Sequence, residues 1–104
     1  ILGTYSETPE RYGVLVPNED STLKAILEKP QNPPSNLINI GGFVITPDIF
    51  NYTVPVSHLG EILVTDMLTE YAKDHPVQIL EQDLWIPIGY PEDVVKAEAR
   101  LYTQ

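Results

Sequence analysis

The sequence predicts an α/β domain in which strands and helices are mixed along the chain. In the first half, short apolar segments end at prolines or polar turns, which is typical of strands. Later segments repeat apolar residues at helical spacing instead. Because both kinds of segment occur within one chain of 104 residues, the pattern favours α/β over an all-α or all-β class.

The first half is predicted to be mostly β-structure. Residues 1–5 form a short apolar segment typical of a buried strand, and the proline-containing stretch 6–11 is predicted to be a loop. Strands over 12–17 and 22–28 flank a turn-rich segment, so we expect a hairpin. A near-continuous apolar run over 36–46 follows a loop with three prolines and predicts a strand buried on both faces.

The second half is predicted to be richer in helix. Threonine followed by proline predicts the start of a short helix over 46–51. The clearest helix is predicted over 60–74, where apolar residues recur at helical spacing and lysine stands in the last turn. Strands over 77–81 and 84–88 then precede a last helix over 91–102, which has proline at its first position and acids in its first turn.

Composition excludes several classes of partner. Six basic and fifteen acidic residues give a net charge of −9, which repels nucleic-acid backbones. No apolar run approaches the about 18 residues that span a bilayer, so no membrane partner is expected. The absence of cysteine fits a cytoplasmic protein. Because Ile1 stands inside a predicted strand, we expect residues 1–104 to be a single partial domain.

The stretch from residue 27 to 43 predicts a small-molecule site. Glu28 and Lys29 place an acid beside a base at a strand end, and the next strand carries Asn39 and Gly41, which strands do not favour. A carboxylate can accept hydrogen bonds from two vicinal hydroxyls, and an ammonium is a compact counter-charge for phosphate. Structural interpretations stay open: a solvated ion pair at Glu28 and Lys29, and an Asn39 bonded to a neighbouring loop.

Five groups of residues follow one another along the chain: Arg11-Tyr12-Gly13-Val14; Glu28-Lys29-Pro30; Ser35-Asn36-Leu37 with Gly41; Gly60-Glu61-Ile62 with Thr65 and Asp66; and Trp85 with Ile88, Gly89, Pro91, Glu92 and Asp93. In this order they resemble the sugar-1-phosphate nucleotidyltransferases, or nucleotide-sugar pyrophosphorylases. The resemblance covers nearly the whole chain and implies the second half of that family's catalytic domain. It also implies a Rossmann-like mixed sheet flanked by helices, of the nucleotide-diphospho-sugar transferase type.

The resemblance implies an enzyme that joins a nucleoside triphosphate to a sugar 1-phosphate and releases pyrophosphate with Mg²⁺. Glucose-1-phosphate uridylyl- or thymidylyltransferases are the nearest branches, with UDP-glucose as one implied product. The family's glycine-rich nucleotide loop and first metal-binding aspartate have no counterpart in these residues. We therefore expect this chain alone to be inactive, and its partners to include the missing N-terminal half and further copies of itself.

The resemblance also implies roles for single residues. In the family's pattern Lys29 holds the sugar phosphate and is the implied catalytic residue. Pro87 stands where the family often has a metal-binding aspartate, and the nearest acids, Asp83 and Asp93, do not fit the motif, so the Mg²⁺ ligands are not identified. The implied substrate-binding residues are Tyr12, Gly13, Glu28, Asn39 and Gly41.

Two alternatives to this function stay open. Pro87 is compatible with a non-catalytic relative that binds nucleotide sugars as a regulatory protein. The segment from Trp85 to Glu92 resembles the mannose-1-phosphate guanylyltransferase branch more closely than the others. His58 and His75 have no ligand spacing to other residues and are predicted to lie at the surface.

Overall fold

The computed structural model describes residues 1–57 and 60–102, and in them the predicted α/β class is confirmed. Five strands form one mixed sheet, which two α-helices and two short 3-10 helices accompany. No helix of the described part of the chain is long and apolar enough to cross a membrane. The strands are β1 (Leu2–Tyr5), β2 (Gly13–Pro17), β3 (Leu23–Glu28), β4 (Leu37–Asn39) and β5 (Leu80–Glu81); the helices are α1 (Val64–Asp74) and α2 (Pro91–Tyr102), with 3-10 helices at Pro9–Arg11 and Pro47–Asn51.

The strand order in the sheet is β3-β2-β4-β1-β5. The predicted hairpin is confirmed, since β2 and β3 pair antiparallel, whereas β1 and β5 pair parallel. Strand β4 pairs antiparallel with both β2 and β1. The proline-rich loop joins β3 to β4, and β2 lies between these two strands in the sheet. Because β2 is antiparallel to both neighbours, the start of β2 lies at the same end of the sheet as the ends of β3 and β4.

The core lies between the sheet and α1. Leu15 and Ile26 are opposite each other in the hairpin, and both belong to the buried cluster that Leu68 of α1 completes. At the outer edge of β3, the Ile26 N–H donates to Thr69 Oγ1 over 3.0 Å, so a helix hydroxyl satisfies a donor that has no strand partner. The buried cluster consists of Leu15, Leu23, Ile26, Leu37, Ile49, Leu68 and Ile79.

The predicted strand over 36–46 is wrong in length, because the regular strand β4 covers only three residues. Its two-sided burial is confirmed at Leu37 and Ile38, which are 4% and 0% exposed. Gly41, with φ of +87°, interrupts the ladder, although Leu2 still bonds to the chain on either side of it. Beyond this point Val44 is 97% exposed, since the described residues offer it no neighbouring strand.

The predicted helix over 60–74 begins four residues later than expected, at Val64. Gly60 has φ of +80°, and the Ser57 N–H donates to the Glu61 carbonyl over 2.7 Å, so these residues form a turn. Glu61 therefore precedes α1 and is not part of the helix. His58 lies outside the described residues, as does Leu59.

Three other elements differ from expectation. The short helix over 46–51 is a 3-10 helix, and the Thr46 hydroxyl bonds to Asp48 and Tyr71 side chains rather than capping it. The strand over 77–81 shortens to β5, with Gln78 forming one isolated bridge to Thr22. Residues 84–88 form no strand, and Pro87 in this segment lacks the N–H that a ladder needs. Helix α2 is confirmed over 91–102.

Candidate functional site

Gly13 lies between Glu28 and Asn39 at one end of the sheet. It pairs with Glu28 across the hairpin, while the neighbouring pair of Val14 and Ile38 places Asn39 on its other side. A β-carbon at position 13 would lie 3.1 Å from Glu28 Oε2 and 3.7 Å from Asn39 Cβ. It would also lie 3.5 Å from Ile26 Cγ2, so glycine is the residue that lets the Glu28 carboxylate and the Asn39 side chain approach the buried β2 backbone this closely. We call this narrow space between Glu28 and Asn39 the gap at Gly13.

Lys29 begins the loop directly beyond this gap. Its N–H donates to the Tyr12 carbonyl over 3.0 Å, which ties the end of β3 to the residue before β2. Its φ of +44° is uncommon for a residue with a side chain and is the kind of local strain that functional positions retain. Within the described residues neither Lys29 nor Glu28 forms an ion pair within 4.0 Å, so both exposed charged groups are available to a ligand.

Asn39 and Gly41 form a local unit at the end of β4. The Gly41 N–H donates to Asn39 Oδ1 over 3.0 Å. The structural interpretation of Asn39 thus holds for its oxygen, which is bonded to backbone. A β-carbon at Gly41 would meet no atom within 4 Å, so packing does not require glycine here. Glycine is favoured at this position because its φ is positive.

Tyr12 also contacts the second half of the chain. Its ring meets the Trp85 ring edge to face, with centroids 5.4 Å apart and planes at 76°. This contact places the segment from Trp85 onward beside the hairpin end, next to the gap at Gly13. This aromatic pair was not predicted from the sequence. The signal for it was that each ring belongs to one of the motif groups that resemble a single family.

Known proteins match this chain in sequence. The sequence model of the family described as nucleotidyl transferase matches residues 1–104. The chain belongs to the nucleotidyl transferase family. A bifunctional sugar-1-phosphate nucleotidylyltransferase/acetyltransferase of Sulfurisphaera tokodaii is 41% identical over 98 residues, which are 91% of this chain and 24% of that protein. A UTP–glucose-1-phosphate uridylyltransferase of Haloferax volcanii is 37% identical over 95 residues, 88% of this chain and 39% of that protein.

Solved structures support the same fold for this nucleotidyl transferase chain. A UDP-glucose pyrophosphorylase complexed with UDP-glucose matches with a TM-score of 0.83 at 27% identity, over 99% of this chain and 43% of that one. The sheet of this chain is therefore part of the nucleotide-diphospho-sugar transferase fold that the resemblance implied. The chain spans less than half the length of each of these relatives.

Among the described residues, the acids near Pro87 do not assemble a metal site. Asp93 Oδ2 accepts hydrogen bonds from the Gly89 and Tyr90 N–H groups, each over 3.0 Å, at the start of α2. These bonds lower the pKa of Asp93, whose side chain reaches back from the first turn of α2 to the turn that precedes the helix. Within residues 1–57 and 60–102, no group of three or more histidine and acidic side chains is placed to hold a metal ion.

An apolar cavity of about 470 Å³ lies apart from the predicted site. Leu2 of β1, Phe43 and Leu68 of α1 are among the side chains that line it. None of the six residues predicted to bind substrate or catalyse lines it. The residues predicted from the sequence therefore lie outside this cavity.

Proposed function

We propose that this chain is the sugar-phosphate-binding part of a sugar-1-phosphate nucleotidyltransferase. The reaction joins a nucleoside triphosphate to a sugar 1-phosphate, giving a nucleoside diphosphate sugar and pyrophosphate. The observation that carries the proposal is the gap at Gly13, flanked by Glu28 and Asn39 and followed by Lys29. Glucose 1-phosphate is the proposed sugar substrate, with a uridine or thymidine triphosphate, and the names of the relatives above support this choice.

In the proposed reaction the residues of this chain bind and orient the sugar 1-phosphate. Glu28 accepts hydrogen bonds from sugar hydroxyls, and the backbone at Gly13 allows the ring to approach closely. Lys29 neutralises the sugar phosphate and directs one of its oxygens in line with the α-phosphorus. A bond forms between that oxygen and the α-phosphorus as the bond to the β-phosphate oxygen breaks, and pyrophosphate leaves. Tyr12 completes the wall of the site beside Trp85.

Magnesium is implied by the family but does not fit the described residues of this chain. Pro87 has no side-chain oxygen, and the carboxylate of Asp93 already accepts two backbone hydrogen bonds. We therefore derive no step through a metal from these residues. The proposal places the Mg²⁺ ligands in other parts of the complete protein.

The same proposal extends to the complete protein that carries this chain. We infer that residues 1–104 act as the second half of a catalytic domain in a cytoplasmic protein, and that the isolated chain has no turnover. Coverage of only 24% and 39% of two curated relatives supports a larger working unit. Assembly of several copies is part of this proposal.

Substitution of Lys29 tests the proposed reaction in the complete protein that carries this chain. Lys29→Ala should lower pyrophosphate release from glucose 1-phosphate by about 100-fold or more, because a charge that stabilises the transferring phosphates is lost. Lys24→Ala is the matched control, since Lys24 is an exposed lysine of β3, the strand that ends just before Lys29. If both variants release pyrophosphate at the wild-type rate, Lys29 has no role in the reaction.

Pro87 favours one further function, a nucleotide-sugar-binding regulatory protein without turnover. A protein of this kind would bind UDP-glucose through the same gap at Gly13 but release no pyrophosphate. Calorimetric titration with UDP-glucose, combined with the pyrophosphate assay, separates the two functions. Binding with turnover supports the transferase, and binding without turnover in the presence of Mg²⁺ supports the regulatory protein.

A further inference from the structure

We propose that residues 43–46 are a docking edge, to which another part of the complete protein adds an apolar β-strand. The inference rests on the proposed function only in placing this chain within a larger protein. It adds the surface at which the rest of that protein binds. Two observations lead to it, the unpaired backbone of this segment and the apolar cavity that the segment lines.

The backbone of residues 43–45 has no partner in the described part of the chain. No hydrogen bond engages its N–H or carbonyl groups. Just before this segment, the Ile40 N–H donates to the Leu2 carbonyl and the Leu2 N–H donates to the Gly42 carbonyl. Regular pairing therefore stops where the docking edge begins. A covered backbone needs hydrogen-bond partners, and a neighbouring strand supplies them in a row.

The side chains of the docking edge suit a strand. Phenylalanine, valine, isoleucine and threonine are all enriched in strands. Phe43 packs against the buried cluster whereas Val44 is 97% exposed, as expected where successive side chains point to opposite faces. Pro47 has no N–H and ends the edge, which gives it a length of about 13 Å. An exposed apolar edge of this kind is a template for the addition of a strand.

The cavity beside the docking edge favours an apolar occupant. Residues 43–46 line it together with Leu68 and Tyr71 of α1, and its volume of about 470 Å³ has room for several large apolar side chains. The hydroxyls of Thr46 and Tyr71 lie 3.1 Å apart and bond each other, so they offer little to a sugar or a nucleotide. A strand with apolar side chains fits both features, because its backbone pairs with the edge and its side chains enter the cavity.

The rest of the complete protein is the occupant that we assign to this surface. The chain covers only 24% and 39% of two curated relatives and 43% of a solved UDP-glucose pyrophosphorylase, so more than half of each of these proteins lies outside the match. A second copy of this chain is disfavoured, because each copy carries a net charge of −9. A helix after the added strand would cover Val44, as helices cover both faces of α/β sheets.

Hydrogen exchange in the complete protein tests the pairing. Alternate amides of residues 43–46 should exchange about 100-fold or more slower than unstructured peptide amides, because an added strand bonds every second residue on the edge it faces. The amides of Gln31 and Asn32 are the control, since no backbone hydrogen bond engages them among the described residues and they should exchange quickly. Exchange at residues 43–46 as fast as in this control would overturn the docking edge.

Lysine at position 44 tests whether the docking edge is covered. Val44→Lys should lower the urea midpoint of the complete protein by about 0.5–1 M, because a charge enters a covered site. Val44→Thr is nearly the same size and should cause a smaller loss, which keeps the test valid if the lysine variant does not fold. Val56→Lys is the matched control, since Val56 is 60% exposed and does not line the cavity. Equal midpoints for the two lysine variants would contradict the assignment.

The source of the strand and the proposed reaction are tested separately. Slow exchange that is independent of protein concentration shows that the strand comes from the same chain. Slow exchange that disappears when sedimentation shows dissociation to monomers would assign the strand to a second copy and overturn the assignment. Pyrophosphate release without slow exchange overturns the docking edge alone, and slow exchange without pyrophosphate release overturns the transferase function alone.

Discussion

Gly13 and Glu28 face each other across the β2–β3 hairpin, and a β-carbon at position 13 would lie 3.1 Å from Glu28 Oε2. This distance is tight, but the atom it meets is the far end of a flexible side chain. Gly13 is therefore not required for the hairpin to form. The glycine keeps the Glu28 carboxylate beside the gap, where the proposed sugar hydroxyls bind.

Gly13→Ala is accordingly predicted to lower ligand affinity while leaving the stability of the fold nearly unchanged. Glu28 can swing away from the new methyl group, and alanine restricts the unfolded chain more than glycine, so the free energy of unfolding should change by less than about 1 kcal/mol. Affinity for UDP-glucose should fall about tenfold as the carboxylate moves and the gap narrows. Urea denaturation and calorimetric titration measure the two effects.

Gly3→Ala is the contrasting control for this prediction. A β-carbon at position 3 would lie 2.8 Å from Leu15 Cδ1 and 3.2 Å from the Ile38 carbonyl oxygen, inside packed structure. Overpacking of this kind costs about 1–3 kcal/mol. If Gly13→Ala destabilises the fold as much as Gly3→Ala does, Gly13 is a packing residue and its link to Glu28 is incidental.

Lys29 is predicted to make the fold less stable than glycine would at the same position. Its φ of +44° strains a residue with a β-carbon by about 1 kcal/mol or more. Lys29→Gly should therefore raise the free energy of unfolding by about 0.5–1 kcal/mol in urea denaturation, while Lys29→Ala should not raise it. Both variants should lose binding of the sugar phosphate, because both lack the ammonium group.

Lys24→Gly supplies the matched comparison for the strain at Lys29. Lys24 lies inside β3 and is not among the residues with positive φ, so glycine there should destabilise the fold by about 0.5–1 kcal/mol. Opposite signs at positions 24 and 29 would establish strain at Lys29. A loss of stability at both positions would contradict it.

The sequence was sufficient to predict elements whose signals are local. The β2–β3 hairpin follows from alternating residues around a turn, and α2 follows from a proline start with acids in its first turn. The Glu28–Lys29 pair could be singled out because an acid, a base and a proline stand at a strand end. These predictions needed no knowledge of distant parts of the chain.

Features that depend on distant contacts were not predictable in the same way. The apolar run over 36–46 forms only a three-residue strand, because a strand needs neighbours and the described residues offer none beyond residue 42. The placement of β2 between β3 and β4, which brings Gly13 next to Asn39, depends on the order of strands in the sheet. The direction of the Asn39 amide depends on one backbone N–H at Gly41.

The contact between Tyr12 and Trp85 is predicted to couple the two halves of the chain. Edge-to-face aromatic pairs contribute about 0.5–1.5 kcal/mol beyond the area they bury. A double-mutant cycle with Tyr12→Leu and Trp85→Leu should therefore show a coupling energy in this range in the free energy of unfolding. Additive effects of the two substitutions would mean that the rings do not stabilise each other.

Tyr52 is predicted to titrate later than an ordinary tyrosine. Its hydroxyl donates to Asp74 Oδ2 over 2.7 Å, and this hydrogen bond, with burial and the nearby negative charges, raises the pKa of Tyr52 to about 12. The folded pKa is above the unfolded value of about 10, so the contribution to stability is present below pH 10 and is lost as the pH rises toward 12. Absorbance of tyrosinate should accordingly show a late step that Tyr52→Phe removes.

Two variants identify the cause of this late step. Asp74→Ala removes the acceptor and should return the titration of Tyr52 toward pH 10, whereas Asp74→Asn keeps an acceptor without charge and should leave part of the shift. Tyr5 provides an internal reference, since its hydroxyl donates to Glu81 Oε1 over 2.9 Å and this bond also raises its pKa. Glu81→Ala should lower the titration of Tyr5 and leave that of Tyr52 unchanged. If Asp74→Ala leaves the late step in place, the hydrogen bond from Tyr52 to Asp74 at the end of α1 is not its cause, and another tyrosine must account for the step.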